Sequence, residues 1–138
     1  MKSESGASQL YAFIQHQRAY VDGLHAGCLV RRRLALKDLP VSALLNLLEP
    51  HEMLFELHKH ILERLVESNN LSVFDARLER SLYNTYIQCL QAHESYFSKA
   101  SDLLNGDSVL RHIVLTECKL ASGEWIDVLN LALLPLTD

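Results

Sequence analysis

Chain punctuation is scarce in this sequence, and that constrains the fold more than any other feature. Only three prolines and five glycines are spread over 138 residues, and the residues between them favour helix. Their apolar members recur at the three-and-four spacing of one helical face. Alternating strand patterns are absent, as are internal repeats and linker-like stretches. The spacing therefore predicts an all-α fold, an elongated helical bundle forming a single domain over residues 1–138.

Element by element, Leu10, Phe13, Ile14, Gln17, Val21, Leu24 and Cys28 share one face of a first helix expected over Ala7–Leu34. A short helix follows Pro40 and carries Leu44, Leu45 and Leu48. Pro50 suits the first turn of the next, where its missing N–H would have no partner anyway. That helix runs to Ser68 and buries Leu54, Leu57, Ile61 and Leu65. Ser68-Asn69-Asn70 breaks the pattern, and Ser72 followed by Asp75 resembles a helix start. A long helical pattern then runs through Phe74, Leu78, Leu82, Tyr86, Leu90, Phe97 and Leu104, with Gln88–His93 as the place for a bend. Asn105-Gly106 is expected to stop it with a left-handed glycine. Asp107 and Ser108 can cap a helix carrying Leu110, Ile113, Val114 and Glu117, which Ser122-Gly123 ends, and a last helix is expected to begin near Trp125 and Ile126.

Several function classes are disfavoured by composition. No apolar run approaches the roughly 18–20 residues that span a bilayer, and the opening MKSESGASQ has no hydrophobic signal core, so a cytoplasmic protein is expected. A net charge of −4 does not suit nucleic acid, which rewards concentrated Lys and Arg. The three cysteines form no CxxC pair, and their odd number argues against a disulfide framework. Five scattered glycines make no phosphate loop, and no Ser-His-Asp, Cys-His or paired-carboxylate constellation declares itself.

Seven histidines raise a metal or haem bundle as a reading. His51, Glu52, Glu56 and His60 form a partial ligand row, but the Glu-x-x-His pairs of di-iron bundles are missing. Exposed or capping histidines are the simpler expectation, with no metal and no cofactor. Arg31-Arg32-Arg33 reads as a solvated helix end, favourable against the helix dipole. Tyr83, Tyr86, Tyr96 and Phe97 read as core or core-edge aromatics, and Trp125 as a packing anchor.

Four segments share an order with a known family. FIQHQRAYVDGLH, Phe13–His25, carries Tyr20, Val21 and Leu24 with Phe13 and Ile14 in leucine places. LFELHKHILERL, Leu54–Leu65, sets His58 among leucines. Phe74 precedes Tyr83 and Tyr86, and the stretch from Val109 ends in Leu133-Leu134-Pro135. In this the chain resembles the Dbl-homology domain of Rho-family guanine-nucleotide exchange factors, across nearly its whole length. The resemblance implies a GTPase-binding surface made of Gln17 and Arg18 with Leu134 and Pro135, and a Rho-family small GTPase as partner.

It also implies a regulator of nucleotide exchange rather than an enzyme with covalent chemistry. Three departures weaken the implied activity. Gln17 stands in the place of the family's glutamate and carries no charge. Leu134 takes the place of a lysine before the third signature's proline, and Leu136-Thr137-Asp138 stands where a glutamine-arginine pair would follow. On this resemblance the chain is a partial domain, lacking the family's C-terminal helix and any pleckstrin-homology domain through which peripheral membrane association would come. A non-catalytic helical adaptor for protein–protein interaction is the alternative reading, and a metal or haem bundle the weaker one.

Overall fold

The computed structural model describes residues 2–68 and 75–137, with side chains over residues 9–67 and 75–136. Among them are six helices and no strand: α1 (Lys2–Ala35), α2 (Ser42–Leu48), α3 (Pro50–Ser68), α4 (Ala76–Gly106), α5 (Ser108–Ser122) and α6 (Val128–Thr137). At 1.5 Å per residue, α1 and α4 each run for roughly 45–50 Å. They are the two long members against which the shorter helices pack. α1 lies against α3, α5, α6 and α2, while α4 lies against α2, α3, α6 and α5.

Capping explains most of the boundaries. Asp75 adopts an extended conformation and accepts the Leu78 N–H at 2.8 Å, so it is itself the N-cap of α4. The expected pairing of Ser72 with Asp75 places the cap three residues too early, and Ser72 and Phe74 lie outside the described residues. α4 continues unbroken through Gln88–His93. It ends at Gly106, which is not left-handed; the turn is made by Asp107, extended at φ −139° and ψ 101°, which at once accepts the Leu110 N–H and starts α5. One residue thus serves as the end of one helix and the cap of the next, and no left-handed glycine is required there. Gly123 does take that conformation, at φ 81°, and its N–H reaches the Lys119 carbonyl.

α6 begins at Val128 rather than near Trp125, because Asp127 accepts the Leu129 N–H at 3.0 Å. Trp125 therefore sits in the connection, 61% exposed, with the Lys119 ammonium over its ring, and anchors no core. Tyr83 is likewise exposed, whereas Tyr86, Tyr96 and Phe97 are half-buried as core-edge residues.

The interior divides into three clusters along the long helices. The largest joins Val30 and Leu34 of α1 to Leu44, Leu47 and Leu48 of α2, Ala100 and Leu104 of α4, Leu110, Val114 and Cys118 of α5, and Val128, Leu131 and Ala132 of α6. A middle cluster holds Tyr20, Leu24, Leu54 and Cys89, with Leu134 and Leu136 of α6 against it. Among the described residues the third, toward the N-terminal end of α1, buries Ile14, Ile61 and Leu65, with partly buried side chains of α1, α3 and α4 against it. Five helices supply the described side chains of the broad end and three those of the tip.

Candidate functional site

The three arginines at the end of α1 each reach a neighbouring element, Arg32 and Arg33 while remaining exposed to solvent. Arg31 Nε donates to the Leu45 carbonyl at 3.1 Å, and Arg32 makes a two-point pair with Glu52. Arg33 meets Glu117 of α5 at 2.6 Å, and Lys37 reaches the other oxygen of the same carboxylate at 3.2 Å. Burial pushes the Glu117 pKa up, but the hydrogen bonds and charges of Arg33 and Lys37 outweigh it and hold the group below its ordinary value. Glu117 thereby stays ionised although its side chain is almost fully covered.

Histidine is where the interior departs most from expectation. His51 and His58 are both buried rather than exposed or capping, and each occupies the apolar stripe of α3 that also carries Leu54, Ile61 and Leu65. His58 Nδ1 lies 3.1 Å from Gln17 Oε1 and its Nε2 lies 2.9 Å from the Tyr86 hydroxyl, which is 2.7 Å from the Tyr20 hydroxyl. A neutral ring satisfies every link: Nδ1–H donates to the Gln17 carbonyl, Nε2 accepts the Tyr86 O–H, and the Tyr86 oxygen accepts the Tyr20 O–H. Burial favours that neutral form and lowers the ring's pKa to about 4.

His51 solves a different problem. Pro135 lies inside α6 and has no N–H, so the carbonyl four residues earlier, that of Leu131, lacks its helical donor. The His51 Nε2–H supplies one at 2.9 Å. Its Nδ1 is buried without a hydrogen bond, and burial lowers the ring's pKa against the opposing pull of the Leu131 and Leu48 carbonyls. The ring fits because α1 presents Gly27, where a Cβ would stand 2.7 Å from His51 Cδ2. One turn earlier, Gly23 seats Leu134, whose Cδ2 would lie 2.5 Å from a Cβ there.

These contacts locate the four residues that the sequence singled out. Gln17 is half-buried and bonded inward to His58. Leu134 packs on α1 at Gly23, and Pro135 is buried in α6. Arg18 alone is exposed, beside Leu62, Glu63, Val66 and Glu67 of α3. The structure thus brings α1 and α6 together, but Gln17 lies nearly two helical turns from the Gly23–Leu134 contact. His51, His58 and Tyr86 complete the arrangement. Their signal in the sequence was polar residues set at the spacing of an apolar stripe.

Among the described residues no group of three or more His, Cys, Asp or Glu side chains converges as a metal site would require, and no helix is long and apolar enough to cross a membrane. Cys28, Cys89 and Cys118 are buried free thiols, with burial first among the causes that push their pKa values up to about 12, 11 and 12. Such thiols are poor nucleophiles. Compared with known proteins, the chain matches no protein-family model, no curated protein and no solved structure.

Proposed function

We propose that this chain is a Dbl-homology-like helical module that docks a Rho-family small GTPase on the face shared by α1 and α6 and promotes release of GDP, acting in the cytoplasm. One observation supports the reading. α6 lies along α1 with Leu134 seated on Gly23, so the two segments implicated by the resemblance, though at opposite ends of the sequence, are neighbours.

Exchange of this kind involves no covalent step. A module that binds the nucleotide-free GTPase more tightly than the loaded one expels GDP through that difference in affinity. The expected activity is modest. Gln17 is uncharged where the family carries a glutamate, charge-assisted hydrogen bonds are about twice as strong as neutral ones, and the Gln17 carbonyl is already engaged by His58. A non-catalytic adaptor is the second reading, favoured by the inward placement of Gln17, Leu134 and Pro135.

Release of fluorescent GDP from a panel of Rho-family GTPases tests the proposal, with acceleration of at least one as the expected result. Capture of nucleotide-free GTPase without acceleration would leave a silent GTPase binder. Neither capture nor acceleration for any member would end the GTPase reading and leave the adaptor one.

A further inference from the structure

A cleft of about 610 Å³ opens where the end of α2, the first turn of α3 and the middle of α4 meet, with Arg31 of α1 in its wall. That volume falls within the roughly 300–1,000 Å³ of small-ligand sites. Pro50, Met53, Ala92 and Tyr96 form the apolar part of the lining, and Asn46, Gln88 and Gln91 bring three side-chain amides to it. Each amide offers both N–H donors and a carbonyl acceptor. Among the described residues none of the three is engaged in a side-chain hydrogen bond.

Two charges complete the cleft. Arg31 is half-buried, with its Nε tied to the Leu45 carbonyl at 3.1 Å and its two Nη groups left to donate elsewhere. Glu49 is exposed and follows α2 directly. Glu52, the other carboxylate in the lining, is already matched by Arg32. Among the described residues Arg31 and Glu49 form no ion pair, with each other or with any other group. We propose that the cleft binds a short zwitterionic peptide of two or three residues, its terminal carboxylate on Arg31 and its terminal ammonium at Glu49.

Charge decides the class of ligand. Glu49 repels an anion and Arg31 repels a cation, whereas a molecule carrying both charges meets a partner for each. A planar guanidinium suits a carboxylate in particular, through two parallel N–H bonds. Spacing decides the length. The Arg31 side chain is fixed at Leu45, and Glu49, still helical in its backbone, comes one turn later, roughly 5.4 Å along the axis. Extended peptide covers about 3.3–3.6 Å per residue, so two or three residues link the two charges. The amides of Asn46, Gln88 and Gln91 can then serve the peptide groups between them, and the apolar part of the lining can cover a side chain. Singly, such exposed groups would merely be solvated; here they converge on one concavity. None of Gln17, Arg18, Leu134 and Pro135 lines it, so the outcome does not depend on GTPase docking.

Titrating the full chain with the tripeptide alanyl-leucyl-alanine, followed by two-dimensional NMR, tests this. Saturable shifts should centre on the amides of Glu49, Gln88 and Gln91, with a dissociation constant of about 1 mM or below. Acetylating the peptide's amino end, or amidating its carboxyl end, should each weaken binding about tenfold. In Glu49→Gln, at an exposed position, acetylation should cost nothing further. Ser95→Trp, which fills the cleft from an exposed position on α4, should abolish the shifts. Absence of saturable binding would overturn the site. Blocked peptides binding as tightly as the free one would overturn the zwitterion assignment, and undiminished binding to Ser95→Trp would overturn the cleft as its location.

Discussion

At the broad end, Val30 and Leu34 of α1 meet buried side chains from four other helices, so loosening any one helix leaves the others in contact. Toward its N-terminus, among the described residues, the same helix meets side chains of α3 and α4, with Ile14, Ile61 and Leu65 buried. Fully burying one such side chain is worth about 1.5–3 kcal/mol. Among the described residues fourteen buried side chains form the broad-end cluster and three the other, so a cavity at the broad end is expected to cost more. A helix as long as α1 shares different fates along its length.

The largest effect that could break this contrast is a cavity at each end. Leu48→Ala should lower global stability by about 2–5 kcal/mol, read from urea unfolding. Ile61→Ala should move the unfolding midpoint less, since fewer of the described side chains gather around it. Equal midpoint shifts would show that the two ends are packed alike.

Acid sharpens the same contrast. His58 and His51 are both held neutral by burial in the folded state, so the unfolded chain binds more protons and stability falls as pH drops from the ordinary 6.5 toward 4. His58 alone should remove about 2 kcal/mol between pH 7 and pH 5, with His51 acting in the same direction. Glu117, whose pKa is lowered, contributes stability above its ordinary 4.5 and loses it only below that, so it leaves this window to the histidines. Urea midpoints unchanged between pH 7 and pH 5 would contradict both assignments.

A smaller and more specific effect concerns how α6 is fastened to the broad end. His51→Leu leaves the Leu131 carbonyl without a donor, because Pro135 cannot supply one. In a Pro135→Ala background the restored backbone N–H can do so. The two substitutions should therefore couple, by about 1–2 kcal/mol in a double-mutant cycle on thermal or urea stability. Strict additivity would show that the histidine merely fills space.

The glycines on α1 give the smallest effects and differ from each other. Gly27→Ala would push against a ring held at its Nε2, at a cost of about 1 kcal/mol or more. Gly23→Ala would meet only the far end of Leu134, which can turn aside, and alanine's helix preference of about 1 kcal/mol should offset the crowding. Melting temperatures of the two variants provide the comparison, and a larger loss at Gly23 would reverse the reading.

Much of the architecture was legible before any coordinates. Of the stripe Leu54, Leu57, Ile61 and Leu65, all but the half-buried Leu57 line the buried face of α3, and Pro50, Asp107 and Gly123 fell at boundaries for local reasons that the chain carries in itself. Histidine burial was the main miss. His58 lies on that stripe, but its polarity argued for the surface, and only partners from two other helices make its burial tolerable. Trp125 erred the other way: its size suggested an anchor, while Asp127 started α6 two residues later and left the indole in the connection. At the candidate site, Gln17 stood out as a polar residue in an apolar stripe, yet which way it turned could not be read from spacing.

What the sequence determined by itself was local: helical periodicity, caps and the scarcity of breakers, all set by residues within a turn or two of one another. Tertiary structure decided which polar groups meet. The Leu131 carbonyl orphaned by Pro135 finds its donor on α3, and Gln17 finds His58, through contacts 80 and 41 residues apart in the chain. Such pairs depend on where whole helices come to rest against one another, and no short window of sequence encodes that.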